Sequence, residues 1–543
     1  MIFVIWFGVL VVTVIFYLRE VYSRFSRHGV RHFKPFPLLG NNIGLILRNS
    51  HVSTDFQRLF VGRYEILNPI TVIRDLELIK KVTLKDVESF LDRRNIVDES
   101  VDTLFGRGLF SLKASCCETV VVPVNASSLS SPGQEWKDMR STLSPAFTSS
   151  KMRAMVPFMV DVNKQMINMV MKKIEASGTT SIDLECKDLT TRYANDVIAS
   201  CAFGVKVDSH TDEENEFYVM GRNTANFGLK RILTYFGYCA SPAIMKKLNI
   251  KLFEDDIKNF FKSLVMSNMK EREDRAILRP DMIHLLMEAK KGALKHDTTD
   301  TKDADAGFST VEESDIGKMT VNRTWSDEDL VSQAFLFFLA GFETVSSTMS
   351  FLLHELAVNP DVQERLVQEI RENDEKSGGK FDYSSIQNMT YMDMVVSEVL
   401  RLWPPVSGLG RICLKDYNLG KPYEKAQSDF IVRKGESVVI PVWAIHRDPA
   451  YFPDPERFDP ERFSEQNKHI IKPFTYMPFG SGPRNCIGSR FALCEVKVML
   501  YQLLQRLEVS PCARTCIPAK LSTATFTLNI EGGHWIRLTA RKG

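Results

Sequence analysis

Residues 479–488 read FGSGPRNCIG, and this stretch decides the fold. Its two early glycines and its proline predict a tight, rigid turn, because glycine accepts left-handed backbone conformations and proline fixes its own φ. Cys486 ends the turn and Gly488 opens a predicted helix. A cysteine in front of a helix meets free backbone N–H groups and the positive end of the helix dipole, which favour the thiolate. A lone cysteine is more often a small buried hydrophobe, so the turn is what points to chemistry.

Composition excludes several classes of protein. The chain has 543 residues, with 69 Lys and Arg against 67 Asp and Glu, and this near balance argues against nucleic acid as a partner. At 44% hydrophobic and 25% charged residues it is globular rather than disordered. Its 10 cysteines include no C-x-x-C pair and are too sparse for a disulfide scaffold, so most are predicted to be reduced. Length alone suggests roughly three or four domains.

The first 18 residues predict a membrane anchor. They read MIFVIWFGVLVVTVIFYL without a charge, and a helix of that length nearly spans a hydrocarbon layer of about 30 Å. Positive residues follow this run and none precedes it, which favours an uncleaved anchor over a secretory signal and places the body in the cytosol. We predict an anchor over 1–18, a basic and Pro-rich linker over 19–45, and one catalytic body over 46–543.

The body is predicted to be mainly α with small β-sheets. Helical periodicity extends over 152–174, 253–275 and 360–373. Short strand-like pieces occur at 65–72, 430–432, 437–441, 524–530 and 534–539, and the last two are separated by a hairpin signal, Glu531-Gly532-Gly533.

A polar stretch, 296–323, lacks periodicity and predicts a surface loop. It leads to Ser326, whose spacing from Asp329 is typical of a capping box and predicts the start of a helix running to about Ala357. Residues 334–340 are apolar on every side of that helix. The helix is therefore predicted to pass through the middle of the body.

The turn FGSGPRNCIG resembles the haem-binding signature of the cytochromes P450, F-x-x-G-x-R-x-C-x-G, at every fixed position. The resemblance implies a P450 fold with a single large haem domain, and haem b held by a cysteine thiolate. Cys486 is then the axial iron ligand and Arg484 pairs with a haem propionate. Phe479 is expected to shield the sulfur, and N–H groups from Gly488 onward to tune it.

A second family pattern is E-x-x-R, present as Glu398 and Arg401. By itself such a pair is usually a weak surface ion pair. The resemblance implies a buried triad that locks the loop presenting the cysteine. Its third member is expected to be Arg462, from the sequence FDPERF at 458–463, with Arg457 as the alternative.

A third pattern, AGFET at 340–344, matches the family's oxygen-activation motif. The resemblance implies that Thr344 binds dioxygen or its own helix carbonyls and that Glu343 relays protons. Gly341 is expected to let the helix backbone approach the haem. Val345 replaces the hydroxyl residue usual at the next position, which weakens the match to the proton relay.

A fourth pattern, W-x-x-x-R, is present as Trp136 and Arg140. A spacing of four places both side chains on one helix face, within reach of a propionate. Arg411 is a further propionate candidate from its position after Pro404-Pro405.

The closest resemblance is to insect xenobiotic-oxidising members, related to the mammalian drug-metabolising group. It implies a microsomal enzyme on the endoplasmic reticulum membrane that oxidises lipophilic small molecules with electrons from NADPH–cytochrome P450 reductase, with cytochrome b5 as an optional partner and no nucleic acid. Candidate docking cations are Lys137, Lys472 and Lys497. Candidate substrate contacts, each equally explained by core packing, are Phe338, Phe342, Val406, Leu409 and Phe526.

Residues 114–132, ASCCETVVVPVNASSLSSP, resemble no part of the family pattern. They are interpreted as a foreign insertion from a retained intron, or alternatively as a genuine long loop. The insertion carries a rival hypothesis, a haem-deficient protein that only binds lipophiles. A second rival is an isomerase or dehydratase on the same fold, against which the Glu343-Thr344 pair argues.

Overall fold

Helices form most of the part of the chain that the computed structural model describes, namely residues 2–42, 62–94, 97–113, 134–291, 307–319, 323–379, 381–422, 426–523, 525 and 527–541. The helices up to the polar stretch are α1 Ile2–Tyr22, α2 Arg24–Arg27, α3 Leu76–Lys80, α4 Thr103–Gly106, α5 Gln134–Leu143, α6 Ser149–Ala176, α7 Cys186–Ile198, α8 Glu216–Ala225, α9 Leu229–Ala240, α10 Pro242–Lys247, α11 Asp255–Asp274 and α12 Met282–Lys290. The later ones are α13 Asp327–Val358, α14 Pro360–Ser377, α15 Tyr383–Gln387, α16 Thr390–Leu402, α17 Val442–His446 and α18 Ser489–Arg506.

The strands form small sheets around the helical body. They are β1 Gly62–Glu65, β2 Asn68–Val72, β3 Ser181–Glu185, β4 Leu409–Ile412, β5 Tyr417–Asn418, β6 Ile431–Val432, β7 Ser437–Ile440, β8 Leu507–Ser510 and β9 Trp535–Ala540. The sheet orders are β1-β2-β7-β4, β3-β9-β8 and β5-β6. In the first sheet β2 and β7 are parallel, with Thr71 opposite Val438, and the other pairs are antiparallel. The prediction of a mainly α fold with small sheets is confirmed.

Helix α13 forms the centre of the fold, as its sequence predicts. Ser326 and Asp329 make a reciprocal capping box, with the Asp329 N–H donating to Ser326 Oγ at 3.2 Å and the Ser326 N–H donating to Asp329 Oδ2 at 3.0 Å. From Met349 to Leu356 every large apolar side chain of this helix is fully buried. The helix separates two aromatic and aliphatic cores, one around α6, α16 and α18 and the other around α11 and α12.

The predicted hairpin near the carboxyl terminus is wrong. Strand β9 pairs with β3 and β8, whereas the described residues of the upstream stretch fold back on one another, with a bridge between Leu521 and Ile530. Local alternation identifies a strand but not its partner, because partners distant in sequence compete for the same edge. The stretch 65–72, predicted as one strand, contains the turn between β1 and β2.

The amino-terminal helix α1 is exposed over most of its length, with Tyr22 at its end packed on Tyr64, and it contains an 18-residue window of mean hydropathy 2.4. It extends four residues beyond the predicted anchor boundary at residue 18, to Tyr22. Helix α13 is also long and apolar enough to cross a membrane, but 61% of its most apolar window is buried inside the protein. It is therefore the core helix that the sequence predicts.

Part of the predicted surface loop 296–323 is packed against the body. Residues 307–319 contact helices α5 and α16, and Ser309 is buried. Residues 296–306 and 320–322 lie outside the described part of the chain, as do the proposed insertion 114–132 and Phe526.

Glu495 of helix α18 is a buried acid whose two carboxyl oxygens have no hydrogen-bond partner among the described residues. Burial raises its pKa well above 4.5, which favours the protonated carboxyl in the folded protein. Because the unfolded chain ionises near pH 4.5, this group lowers stability progressively as the pH rises above that value. We expect Glu495→Gln to raise the thermal midpoint, and to raise it more at pH 8 than at pH 5.

Differential scanning fluorimetry across pH measures this difference. Glu508→Gln is the control, since Glu508 is an exposed acid a short distance along the chain on β8. An equal rise in the thermal midpoint for both variants at every pH would contradict the prediction.

Candidate active site

The turn before Cys486 adopts the conformation that its glycines predict. Gly480 has φ +80° and Gly482 has φ +73°, and the Cys486 N–H closes the turn on the Phe479 carbonyl at 2.8 Å. A Cβ atom added to Gly482 would lie 2.0 Å from the Thr83 carbonyl oxygen, so no side chain fits there. Gly488 is the N-cap of α18 and follows the cysteine by two residues.

The Cys486 side chain is exposed, but neighbouring protein atoms surround it closely enough to raise the pKa of the thiol. Three groups oppose that rise: the Gly488 N–H and the charges of Arg140 and Arg93. Ala340 is likewise exposed, although α13 runs through the middle of the fold.

Four arginines lie close together beside Cys486. Arg140, Arg411 and Arg484 are buried and Arg93 is half-buried. Burial, reinforced by Arg411 and Arg140, lowers the pKa of Arg93 to about 9, and burial lowers that of Arg411 to about 10. The pKa of Arg484 falls well below its ordinary value for the same reasons. So many guanidinium groups in one buried place require anions.

The arginine cluster has fewer acids than bases. Among the described residues, the carboxylates that reach it are Glu313, bound to Arg140 at 2.8 Å, and Asp92, which lies 3.6 Å from Arg484. Arg411 Nε is buried without a hydrogen-bond partner in the described structure. The cluster therefore has unsatisfied capacity for about two further negative charges.

Arg484 and Arg140 are held in different ways. Arg484 donates to the carbonyl oxygens of Leu91 and Leu112 at 2.8 Å, and its guanidinium stacks 3.9 Å from the centre of the Trp136 ring. Arg140 donates to both carboxylate oxygens of Glu313 and to the main-chain and side-chain oxygens of Asn485. The spacing that places Trp136 and Arg140 on one helix face thus brings both to the cluster.

The E-x-x-R pair is fully buried. Arg401 donates to Glu398 through Nε at 2.6 Å and Nη2 at 2.8 Å. Arg462 Nε lies 3.4 Å from the same carboxylate, whereas Arg457 contributes only its carbonyl oxygen, which accepts from Arg401. The Asp459 N–H also donates to Glu398 at 2.9 Å. In this geometry Arg462, and not Arg457, provides the second guanidinium.

His446 connects this pair to the cysteine turn, and sequence reasoning missed it. Its carbonyl accepts from Arg401 at 2.9 Å, and its Nε2 accepts from the Met477 N–H at 2.9 Å. Burial lowers the pKa of His446 to about 3, so the ring stays neutral and Nε2 remains an acceptor. Sequence reasoning also missed Arg93. Its signal in the sequence is the pair of adjacent arginines, Arg93 and Arg94, directly after Asp92, which the structure buries.

Part of α13 is accessible, and Thr344 lies on that part. Phe337, Ala340 and Thr344 share it at helical spacing, and Thr344 Oγ1 donates to the Ala340 carbonyl at 2.6 Å. Glu343 is bound by Lys187 of α7, at 3.1 Å. A Cβ at Gly341 would lie 2.9 Å from Ile198, so this glycine permits close packing of α7.

The candidate substrate contacts separate into two groups. Phe338 and Phe342 are fully buried among aromatic rings of the core, 5.2 Å apart, which supports the packing alternative. Val406 is exposed, and Leu409 is half-buried within 3.6 Å of the Cβ position of Gly480. These two remain candidates for contact with a ligand.

Lys497 is not a docking cation. It is buried and bound to Asp393 at 2.8 Å, because its position on α18 faces α16. Lys472 is exposed and Lys137 is half-buried, so they remain candidates.

Comparison with known proteins identifies the family. A model described as Cytochrome P450 matches residues 123–537. The chain belongs to the cytochrome P450 family. It is 42% identical over 557 residues to Cytochrome P450 9e2 of Blattella germanica, covering 98% of this chain and 97% of that one. It is 39% identical over 533 residues to Probable cytochrome P450 9f2 of Drosophila melanogaster, covering 95% of each, and 36% identical over 531 residues to Cytochrome P450 6k1 of Blattella germanica, covering 96% and 94%.

This cytochrome P450 is a haem-thiolate monooxygenase supplied with electrons from NADPH through a reductase. The residues around Cys486 fit haem. An accessible cysteine is available to the iron, and a buried arginine cluster with one unpartnered Nε suits two propionates. The site therefore offers a thiol to the haem iron and positive charge to the haem propionates.

We expect Arg411→Gln to weaken haem retention about tenfold, because a charge-assisted hydrogen bond contributes about 1.5–3 kcal/mol. The measurement is the rate of haem transfer to excess apomyoglobin. Arg433→Gln is the matched control, since Arg433 is an exposed arginine on the turn between β6 and β7. Equal transfer rates for the two variants would show that Arg411 does not hold haem.

Proposed function

We propose that this P450 oxidises lipophilic xenobiotics or endogenous lipophiles at a haem whose iron Cys486 would hold. The observation that carries the proposal is the accessible Cys486 thiol beside four clustered arginines, at the end of a turn that only glycine can form. Bound haem supplies the activation of dioxygen. The residues of the chain supply the ligand, the charge balance, the proton donors and a site shielded from water.

Each side chain has a proposed task. The Gly488 N–H stabilises the thiolate, and Phe479, packed at the edge of the core, shields the sulfur. The propionates are held by the cluster residues and the adjacent indole, namely Trp136, Arg140, Arg411, Arg484 and Arg93. The Glu398–Arg401–Arg462 triad fixes the loop through His446.

Proton delivery is proposed for Thr344 and Glu343. The Thr344 hydroxyl lies on the accessible face of α13, where it donates to the Ala340 carbonyl at 2.6 Å and would be available to pass a proton to a bound substrate or cofactor. Glu343 is the adjacent residue, and its carboxylate is bound by Lys187 and Ser347. Its side chain is partly exposed, so protons can reach it from solvent.

The cellular setting is proposed from α1. Its exposed apolar surface suits a single-pass anchor over about 1–18 in the endoplasmic reticulum membrane, with the linker 19–45 and the catalytic domain 46–543 in the cytosol. NADPH–cytochrome P450 reductase would supply electrons there, and cytochrome b5 is an optional second donor. An apolar substrate dissolved in the membrane suits such an enzyme.

A spectrum and a turnover assay test the proposal. Microsomes containing the protein, reduced and treated with CO, should show the Soret shift typical of a thiolate ligand. Product formation from a panel of lipophilic probes should require NADPH and reductase. Absence of the band would favour the haem-deficient alternative, and turnover without NADPH would favour the isomerase or dehydratase.

A further inference from the structure

Residues 307–319, which we name the strap, lie against helices α5 and α16 and reach Asn485, the residue that precedes Cys486. At one end the Phe308 N–H donates to Asp393 of α16 at 2.8 Å. A Cβ on Gly307 would lie 2.3 Å from the same carboxylate, so the backbone approaches α16 closely. At the other end the turn Asp315–Lys318 packs on α5, and Ser141 Oγ donates to the Met319 carbonyl. The strap thus connects two helices of the haem site.

The amino-terminal half of the strap is fixed by a buried polar cluster. Ser309 is buried, and its hydroxyl lies 2.8 Å from that of Ser397 and 2.6 Å from that of Tyr476. The ring of Phe308 packs on Phe463 and Tyr476, with centroids 5.1 and 5.6 Å away. Buried hydroxyl groups that satisfy one another hold a segment in one arrangement. These contacts fix the position of the strap without help from its charged residues.

The carboxyl-terminal half reaches the residue that precedes the cysteine. Asn485 Nδ2 donates to the Glu312 carbonyl at 2.9 Å. Arg140 Nη1 donates to the Asn485 carbonyl at 2.8 Å and Nη2 to its side-chain oxygen at 2.6 Å. Arg140 is itself bound by Glu313 through Nε at 2.8 Å and Nη2 at 2.9 Å. Asn485 is consequently bound from the strap and from α5 together.

We propose that Glu313 is a positioning residue that, through Arg140, holds the Asn485–Cys486 segment in place and sets the charge beside the thiolate. A bidentate carboxylate fixes both the plane and the direction of a guanidinium. Without it, Arg140 faces three other arginines and is repelled from them. The inference rests on the proposed role of Cys486 as iron ligand.

The Glu313 carboxylate also supplies negative charge to the arginine cluster. Glu313 and Asp92 are the carboxylates of the described residues that reach the four guanidinium groups, so removing one of them leaves a single acid beside the cluster in that part of the chain. A more positive surrounding favours the reduced, less positive iron. Loss of the Glu313 charge should therefore raise the reduction potential as well as loosen the loop.

The experiment compares Glu313→Gln with Glu312→Gln in the full-length, haem-loaded protein. The two variants lose the same charge one residue apart, but only Glu313 binds Arg140, and the Glu312 side chain is exposed. We expect Glu313→Gln to lose the thiolate-type CO band about tenfold faster on mild warming, and to have a more positive midpoint potential. Glu312→Gln should match the unmodified protein, and Glu313→Asp, which keeps the charge, should recover most of the difference.

The outcomes separate this inference from the proposed function. If the unmodified protein lacks the thiolate-type band, the role of Cys486 fails. If the band is present and Glu313→Gln matches Glu312→Gln in both band lifetime and potential, the positioning role of Glu313 is overturned. Faster loss of the band without a potential shift would overturn the electrostatic part alone.

Discussion

Replacing Cys486 by alanine is expected to abolish the thiolate-type Soret band and all NADPH-dependent turnover. A methyl group cannot ligate iron, and the structure brings no second cysteine of the described chain to this turn. The Cys486 N–H bond to the Phe479 carbonyl involves main-chain atoms, and the Arg484 and Asn485 contacts do not use the Cys486 side chain, so the fold should persist. CO-difference spectra and product assays on equal amounts of folded protein measure the loss.

Two comparisons make this result specific. Cys512→Ser removes a half-buried cysteine near β8 and should leave both band and turnover intact. Thr344→Ala should retain the band, because Thr344 lies on α13 and bonds its own helix. A thiolate-type band in the Cys486→Ala protein would assign the ligand to another cysteine.

Glu398→Gln is expected to destabilise the protein by about 3–5 kcal/mol and to release haem. The neutral amide leaves Arg401 fully buried without its ion partner, and the carboxylate that also binds the Asp459 N–H is lost. Since Arg401 holds the His446 carbonyl and His446 holds Met477, the disturbance passes to the loop that ends at Cys486. Urea unfolding followed by the Soret band and by far-UV circular dichroism measures both effects.

The control for this prediction is Glu465→Gln. Glu465 and Lys468 have the same spacing of three residues as Glu398 and Arg401, at 2.5 Å, but both are exposed. Surface pairs of this kind contribute little, so the variant should unfold like the unmodified protein. Similar losses of unfolding free energy in the two variants would show that burial of the E-x-x-R pair is not what stabilises the loop.

Local sequence signals predicted the helices well. The periodic stretches 152–174, 253–275 and 360–373 coincide with α6, α11 and α14. The capping box at Ser326 is present, and the helix after it is the buried one. Such features depend on residues a few positions apart, which a sequence displays directly.

Pairing between distant segments was harder to predict. Strand β9 lies between β3 and β8 rather than in the expected hairpin, and Lys497 is buried against Asp393 rather than exposed. The strap was expected to be part of a plain surface loop. Polar residues indicate a loop, but whether a loop docks depends on partners elsewhere in the chain, here Ser397 and Tyr476.

The family, the cysteine turn and the helix that crosses the fold could be read from the chain alone, because each is encoded by residues close together in sequence. Only the tertiary structure decided which charges meet at that turn. Arg93, Glu313 and His446 come from three separate segments, and Arg462 rather than Arg457 turns its guanidinium towards Glu398. The physical reason is that burial and charge balance depend on distances in space, and these are fixed by packing between elements hundreds of residues apart.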